Sequence, residues 1–124
     1  LVKDNPYQFP SSGTEKLQYR PVVIGSGPAG LFCAYLLALM GYNPLVIERG
    51  EKIEDRVKTV ESFFETNKLN PESNIQFGEG GAGTFSDGKL TTGISSPHIR
   101  TVLEYFYKLD FVYLVNISYK NFHY

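Results

Sequence analysis

Hydrophobic positions in the first half of the chain form short apolar runs separated by a longer apolar segment. The run 22–24 is followed by three glycines and then by an apolar segment that ends before Gly41, and a second run occupies 45–48. Short β-branched runs are typical of buried parallel strands, and the segment between them is long enough for a helix of about three turns. The pattern predicts a Rossmann-like βαβ unit with strands at 22–24 and 45–48 and a helix over 28–40.

The turn between the first strand and the helix has the pattern G-x-G-x-x-G. Its first glycine allows a tight turn, its second leaves room for a pyrophosphate to approach the backbone, and its third lets the helix pack closely on the strand. The N–H groups of the first helical turn then face the anion. We predict that the pyrophosphate of a dinucleotide cofactor binds at Gly25, Ser26, Gly27, Pro28, Ala29 and Gly30.

An acidic residue ends the second predicted strand. Glu48 follows Gly25 by 23 residues, close to the spacing at which a carboxylate accepts hydrogen bonds from a ribose. The same carboxylate would repel a 2′-phosphate, which disfavours NADP. The alternative is a glycine-rich turn followed by an ordinary surface glutamate, but the turn, the helix, the strand and the acid are all in register.

A second helical pattern follows the second strand. Over residues 53–65 the apolar side chains recur every three or four positions, which predicts an amphipathic helix whose apolar face lies on the core. That face comprises Ile53, Val57, Val60 and Phe64.

Two arginines flank the predicted ribose site. Arg49 and Arg56 are the nearest basic residues, and either is a candidate for contact with a phosphate. The alternative for either residue is a solvated arginine on a polar face, and it applies more strongly to Arg56 than to Arg49.

A second glycine-rich stretch covers residues 77–93. Five glycines fall between Gly78 and Gly88, so this stretch is unlike the interior of a strand or a helix. Such a backbone can approach a flat or anionic ligand and present successive N–H groups to it. A flexible surface loop is an equally good interpretation of its composition.

The two glycine-rich stretches together resemble a known family. Residues 25–30 with 46–50, and then 69–90, are similar to the uncharacterised bacterial FAD-dependent dehydrogenases of the glutathione-reductase-like flavoprotein superfamily. The similarity covers roughly residues 19–110, and its second motif is the more specific. The resemblance implies that the βαβ unit holds the ADP half of FAD, with NAD(P)H a candidate electron donor in the full-length family. It also implies that the flavin end lies near Gly81, Ala82, Gly83 and Thr84.

Composition narrows the possible partners. The 124 residues include 12 Lys and Arg against 13 Asp and Glu, so nothing indicates binding to nucleic acid or to an anionic membrane. One cysteine cannot form an internal disulfide, which is compatible with a cytoplasmic location. We expect Cys33 to be buried and inert inside the first helix, and His98 to be a cap or surface residue. No residue spacing suggests a metal site, and no catalytic side chain is identified.

The chain divides into three predicted parts. Residues 1–19 are expected to be an irregular lead-in segment, and 20–110 a partial FAD/NAD(P)-binding domain that ends with a helix over 99–108. That helix should pack through Ile99, Val102, Leu103 and Phe106. Residues 111–124 depart from the family pattern, and we expect this tail to come from an interrupted gene. Its apolar run 111–117 has high β propensity and would suit an edge strand.

Three functions remain open. The leading one is a fragment of an FAD-dependent dehydrogenase, which we expect to be too short for activity alone. The second is an NAD-binding dehydrogenase domain, because the same turn serves both cofactors. The third is a truncated, non-catalytic nucleotide-binding remnant.

Overall fold

The computed structural model describes residues 7–87 and 93–108, together with the backbone of the strand at 118–121. In chain order the elements are β1 (Val22–Ile24), α1 (Pro28–Leu39), β2 (Leu45–Glu48), α2 (Ile53–Thr66), a short 3₁₀ helix (Gly81–Phe85), α3 (His98–Lys108) and β3 (Ser118–Asn121). The predicted α/β fold class is confirmed: this is a Rossmann-like βαβ unit.

The strands form a parallel sheet in the order β1-β2-β3. Val22 lies opposite Leu45 and Ile24 opposite Ile47, so β1 and β2 run side by side from start to end. Both strands have the predicted bounds, and α1 ends one residue earlier than predicted. The carboxyl ends of β1 and β2 therefore lie together at one edge of the sheet.

Glycine and proline fix the two ends of α1. Pro28 is the first helical residue, where its missing N–H has no intrahelical partner to lose. At the other end Gly41 has a φ of +85°, which glycine adopts without strain. The N–H groups of Gly41 and Tyr42 donate to the carbonyl oxygens of Ala38 and Leu37, as in a Schellman motif.

The hydrophobic core lies between α1 and the sheet. Val23, Ala34 and Val46 are buried there, and Leu37 packs against them. The helix α1 crosses the sheet at the position where Gly30 faces the Cγ1 atom of Val23. This packing sets the direction in which the start of α1 points.

The helix α2 has the predicted position but not the predicted buried face. Of the four apolar residues expected on the core only Val60 is buried, while Ile53, Val57 and Phe64 are exposed. Arg56, one turn before Val60, is completely buried instead. The apolar periodicity identified the helix correctly but assigned the wrong face to the interior.

Aromatic contacts join α3 to α1. Phe106 meets Phe32 edge to face at 5.6 Å between ring centroids, and Tyr105 meets Tyr35 at 5.4 Å. Burial, aided by the nearby Tyr35 and Glu104, raises the pKa of Tyr105. Leu103, predicted to pack, is 47% exposed, and Tyr105 takes its place on the packed face.

The end of the chain is described only in part. The predicted edge strand at 111–117 lies outside the described residues, as do residues 122–124 of the tail. The strand β3 at 118–121 pairs in parallel with β2, with Ser118 opposite Leu45. Among the helices of the described residues, none combines the length and the apolar character that a membrane span requires.

Candidate dinucleotide-binding site

The predicted site lies where β1 and β2 end. The turn 25–30 leaves β1 at this edge, and Glu48 is the last residue of β2. The N–H of Gly25 donates to the carbonyl oxygen of Ile47 at 2.7 Å, which continues the strand pairing into the turn. The turn and the carboxylate are therefore held in a fixed relation by the sheet itself.

Each glycine of the turn has a different structural role. Gly25 has a φ of +96°, a conformation that side chains rarely allow. A Cβ atom on Gly30 would collide with the carbonyl oxygen of Gly25, so the close approach of helix and strand requires glycine there. A Cβ atom on Gly27 would meet nothing within 4 Å, so the space beside Gly27 is open. The tight turn at Gly25 and the close packing at Gly30 are the structural roles predicted for those positions, while the pyrophosphate contact at Gly27 remains a prediction.

The carboxylate of Glu48 is buried and hydrogen-bonded to the turn. Its Oε2 atom accepts from the backbone N–H of Ser26 at 2.7 Å and from the Ser26 hydroxyl at 2.8 Å. Its Oε1 atom accepts from the N–H of Gly50 at 2.9 Å. Each carboxylate oxygen can accept more than one hydrogen bond, so these contacts leave acceptor capacity for a ligand.

Burial and hydrogen bonding act in opposite directions on Glu48. Burial raises its pKa, but the hydrogen bonds from the Ser26 and Gly50 N–H groups and from the Ser26 hydroxyl outweigh that effect. The pKa of Glu48 is consequently lowered, and the side chain is a stable anion at neutral pH.

The first part of the second glycine-rich stretch lies directly against the turn. We call residues 78–85 the second glycine segment. The N–H of Gly80 donates to the carbonyl oxygen of Ser26 at 3.1 Å. A Cβ atom on Gly81 would lie 3.2 Å from the Cα of Gly27 and 3.3 Å from the Cδ of Pro28. Of the two interpretations of its composition, the contacts favour a segment built into the site over a flexible surface loop.

The predicted cofactor-binding residues surround this junction. Ser26 is buried, whereas Pro28 and Ala29 on one side and Ala82 and Gly83 on the other are exposed. Thr84 is half-buried, and its hydroxyl donates to the carbonyl oxygen of Glu79 at 3.0 Å. Two exposed backbone surfaces thus flank the point where Gly81 meets Gly27.

The two candidate arginines have opposite environments. Arg49 is exposed, and its Nε lies 2.9 Å from a carboxylate oxygen of Glu72. Arg56 is fully buried, so the interpretation of Arg56 as a solvated arginine is wrong. Its guanidinium bonds to oxygens of the protein, which indicates a structural contact in place of the direct phosphate contact considered for it. One signal pointed to this burial: Arg56 lies four residues before Val60, on the same helical face.

Two asparagines that sequence reasoning passed over shape the loop before the second glycine segment. The side-chain oxygen of Asn70 accepts from the N–H groups of Glu72 and Ser73, at 3.0 and 3.3 Å. The side-chain oxygen of Asn74 accepts from Gln76 and Phe77, at 2.9 and 3.2 Å. Such asparagine turns give the loop a defined path to the site. The signal in the sequence is Asn70-Pro71, a pair typical of turns.

Two other side chains considered in the sequence lie on α1 and α3. Cys33 is exposed on α1, so its predicted burial is wrong. His98 is exposed at the start of α3, and its backbone N–H donates to the hydroxyl of Ser96 at 3.2 Å. Across residues 7–87 and 93–108, no three His, Cys, Asp or Glu side chains are grouped as metal ligands would be.

Comparisons with known proteins agree with this geometry. The family model described as NAD(P)-binding Rossmann-like domain matches residues 23–70, which include the turn, Glu48 and α2. A protein of Clostridium beijerinckii is 58% identical over 93 residues, covering 75% of this chain and 17% of the relative. The L-amino-acid oxidase of Demansia vestigiata is 48% identical over 40 residues, covering 32% of this chain and 8% of that protein. The chain therefore spans less than a fifth of the length of either relative.

Proposed function

We propose that this chain is the dinucleotide-binding part of an FAD-dependent oxidoreductase and that it binds the ADP half of FAD. The observation that carries the proposal is the contact between the turn and the acid. A buried carboxylate at the end of β2 is hydrogen-bonded to the glycine turn at the end of β1, beside the open space at Gly27. This arrangement supports the proposal, because the carboxylate would accept from a ribose next to a backbone suited to a pyrophosphate.

Each part of the site has its own task in binding. The first turn of α1 would bind the pyrophosphate, since its N–H groups and the helix dipole favour an anion. Glu48, with its lowered pKa, would accept hydrogen bonds from the ribose hydroxyls. The second glycine segment, through residues 81–84, would line the path toward the flavin. Bound FAD would supply the hydride and electron transfer that protein side chains cannot perform.

Two lines of support favour an oxidoreductase that uses a flavin. One is the similarity to a protein named an L-amino-acid oxidase, an activity that requires a redox cofactor. The other is the contact of the second glycine segment with the turn, because that segment carries the more specific part of the family resemblance. Dehydrogenase activity, its substrate and the role of NAD(P)H belong to the proposal for the whole protein.

An NAD-binding dehydrogenase domain is the second candidate. The matching family model is described as NAD(P)-binding, and the ADP half is common to FAD and NAD. Glu48 disfavours NADP in either case, because an anionic carboxylate would lie against its 2′-phosphate. FAD and NAD differ only in the half of the molecule beyond the pyrophosphate, so contacts with that half distinguish the two candidates.

A titration of the full chain with FAD and, separately, with NAD tests the proposal. We expect the flavin fluorescence of FAD to change as protein is added and to level off once the FAD is fully bound. The affinity of the protein for FAD should exceed its affinity for NAD. Tighter binding of NAD would favour the second candidate. Absence of binding by both cofactors would contradict both.

A pair of glycine variants locates the cofactor. Gly27→Val places a side chain in the open space of the turn, so it should leave the fold intact and abolish FAD binding. Gly13→Val is the matched control, since a Cβ atom there makes only an ordinary contact with the Tyr42 hydroxyl. Equal FAD affinity in the two variants would show that the cofactor binds elsewhere.

A further inference from the structure

A positive charge is buried next to the second glycine segment. Arg56 lies on α2 with none of its surface exposed to solvent. Burying a charge is costly unless the group is fully hydrogen-bonded. Burial accordingly lowers the pKa of Arg56, and the nearby carboxylates of Glu48 and Glu79 partly oppose that effect. The hydrogen bonds that compensate for this cost show which part of the chain Arg56 fixes in place.

Those contacts lie in one stretch of chain. The Nε of Arg56 donates to the carbonyl oxygen of Asn74 at 2.8 Å, and Nη2 donates to that of Ile75 at 2.9 Å. Nη1 donates to the carbonyl oxygen of Glu79 at 2.6 Å and to the hydroxyl of Thr84 at 3.2 Å. The planar fork of a guanidinium can satisfy several acceptors at once, which a lysine ammonium cannot do in this arrangement.

The second glycine segment wraps closely around this side chain. A Cβ atom on Gly78 would lie 2.6 Å from the Cδ of Arg56, so only glycine fits there. The ring of Phe85 lies against the other side, with its centroid 4.9 Å from the guanidinium carbon. Arg56 is therefore held from the beginning to the end of the segment.

The same segment touches the pyrophosphate turn. Gly80 donates a hydrogen bond to the carbonyl oxygen of Ser26, and Gly81 lies against Gly27 and Pro28. A second attachment fixes the segment to the start of α2, where the Glu79 carboxylate accepts from the N–H of Ile53 at 2.8 Å. A change in the contacts of Arg56 would therefore move the backbone that borders the turn.

We propose that Arg56 is a positioning residue that holds the second glycine segment at the distance from the turn required by the flavin half of FAD. The inference rests on the proposed function. The site then has two halves, and a different part of the fold positions each half. The strands, the turn and Glu48 set the ADP half, while Arg56 sets the half that lies beyond the pyrophosphate.

Calorimetric titration of the full chain with FAD and with ADP tests this division. The wild-type protein should bind FAD more tightly than ADP. Arg56→Lys keeps the charge but loses most of the hydrogen bonds, so FAD affinity should fall by on the order of tenfold or more. ADP affinity should remain within about threefold, a change smaller than the loss of one hydrogen bond. Arg100→Lys, at the exposed ion pair with Glu104 on α3, is the matched control and should change neither affinity.

A second variant protects the test against loss of folding. Phe85→Leu removes the ring that lies against the Arg56 guanidinium, outside the residues proposed to line the path toward the flavin, and leaves α2 unchanged. It should lower FAD affinity selectively, and it replaces Arg56→Lys if circular dichroism shows that the lysine variant is unfolded. A selective loss of FAD affinity in the folded variant supports the inference.

Three results would count against one proposal or the other. Wild-type protein that binds neither FAD nor ADP contradicts the proposed function itself. Wild-type protein that binds FAD no more tightly than ADP overturns the role of the second glycine segment. Variants that lose FAD and ADP affinity equally, or lose neither, overturn the positioning role of Arg56 and leave the proposed function intact.

Discussion

The Ser26 N–H donates to the Glu48 carboxylate at 2.7 Å, which joins the first turn after β1 to the last residue of β2. The Ser26 hydroxyl donates to the same oxygen at 2.8 Å, and both residues are buried. Because the donor belongs to the glycine turn, the carboxylate helps to shape the backbone that would receive a pyrophosphate. Glu48 therefore has a structural role as well as its proposed contact with the ribose.

This double role predicts different effects for two substitutions. Glu48→Ala leaves the N–H groups of Ser26 and Gly50 without an acceptor and should lower the free energy of unfolding by about 1–3 kcal/mol. It should also weaken FAD binding by about 1.5–3 kcal/mol through the lost ribose contact. Ser26→Ala, which removes only the hydroxyl, should cost less in both measurements. Denaturant unfolding and FAD titration of both variants provide the check, and equal losses would contradict the prediction.

The lowered pKa of Glu48 predicts a dependence of stability on pH. Its folded-state pKa lies below the ordinary value of 4.5, so the unfolded chain binds the proton more readily than the folded chain. The stabilisation is complete above the ordinary pKa and is lost as the pH falls through the folded pKa. Unfolding experiments between about pH 7 and pH 3 should show this loss in the wild type.

A glutamine variant isolates the contribution of this group. Glu48→Gln should be less stable at neutral pH and should show a smaller decrease in stability on acidification. Glu61→Gln, on the exposed side of α2, controls for the loss of one charge. The same acid dependence in Glu48→Gln and in the wild type would show that Glu48 does not cause it.

The close contact of Gly30 with Gly25 predicts a large difference between two glycines of one turn. Gly30→Ala would force a Cβ atom against the carbonyl oxygen of Gly25 and should destabilise the protein by about 1–3 kcal/mol, the usual cost of overpacking. Gly27→Ala, where the added atom meets nothing, should change the free energy of unfolding by less than about 0.5 kcal/mol. Thermal unfolding of the two variants compares them directly, and similar values would contradict the close packing of helix and strand.

The exposure of Cys33 predicts a reactive site on α1. A thiol reagent such as a maleimide should label Cys33 in the native protein. The labelling rate should be within about a factor of ten of the rate for the same protein unfolded in denaturant. Cys33→Ala should abolish labelling and leave FAD binding unchanged. Labelling that requires unfolding would show that the thiol is covered.

Local sequence determines most of the βαβ unit and therefore most of the predicted site. The apolar runs, the Pro28 start and the Gly41 end of α1 depend on residues a few positions apart, and all were predictable. The turn and Glu48 come together because the ends of neighbouring parallel strands must meet. Their direct hydrogen bond was not predicted, because periodicity does not report where a side chain points.

The burial of Arg56 depended on contacts distant in sequence. Its acceptors lie 18 to 28 residues further along the chain, in a segment whose composition fitted a flexible loop equally well. The apolar periodicity of α2 favoured Ile53, Val57 and Phe64 for the buried face. A helical pattern identifies the helix, but the loop that packs on it decides which side is covered.

A crystal structure of the full chain with bound FAD is the most direct test of the central claim. The account predicts the pyrophosphate beside Gly27, against the first turn of α1, and the ribose hydroxyls within hydrogen-bond distance of Glu48. FAD bound elsewhere, with this turn and Glu48 contacting only protein atoms, would contradict it.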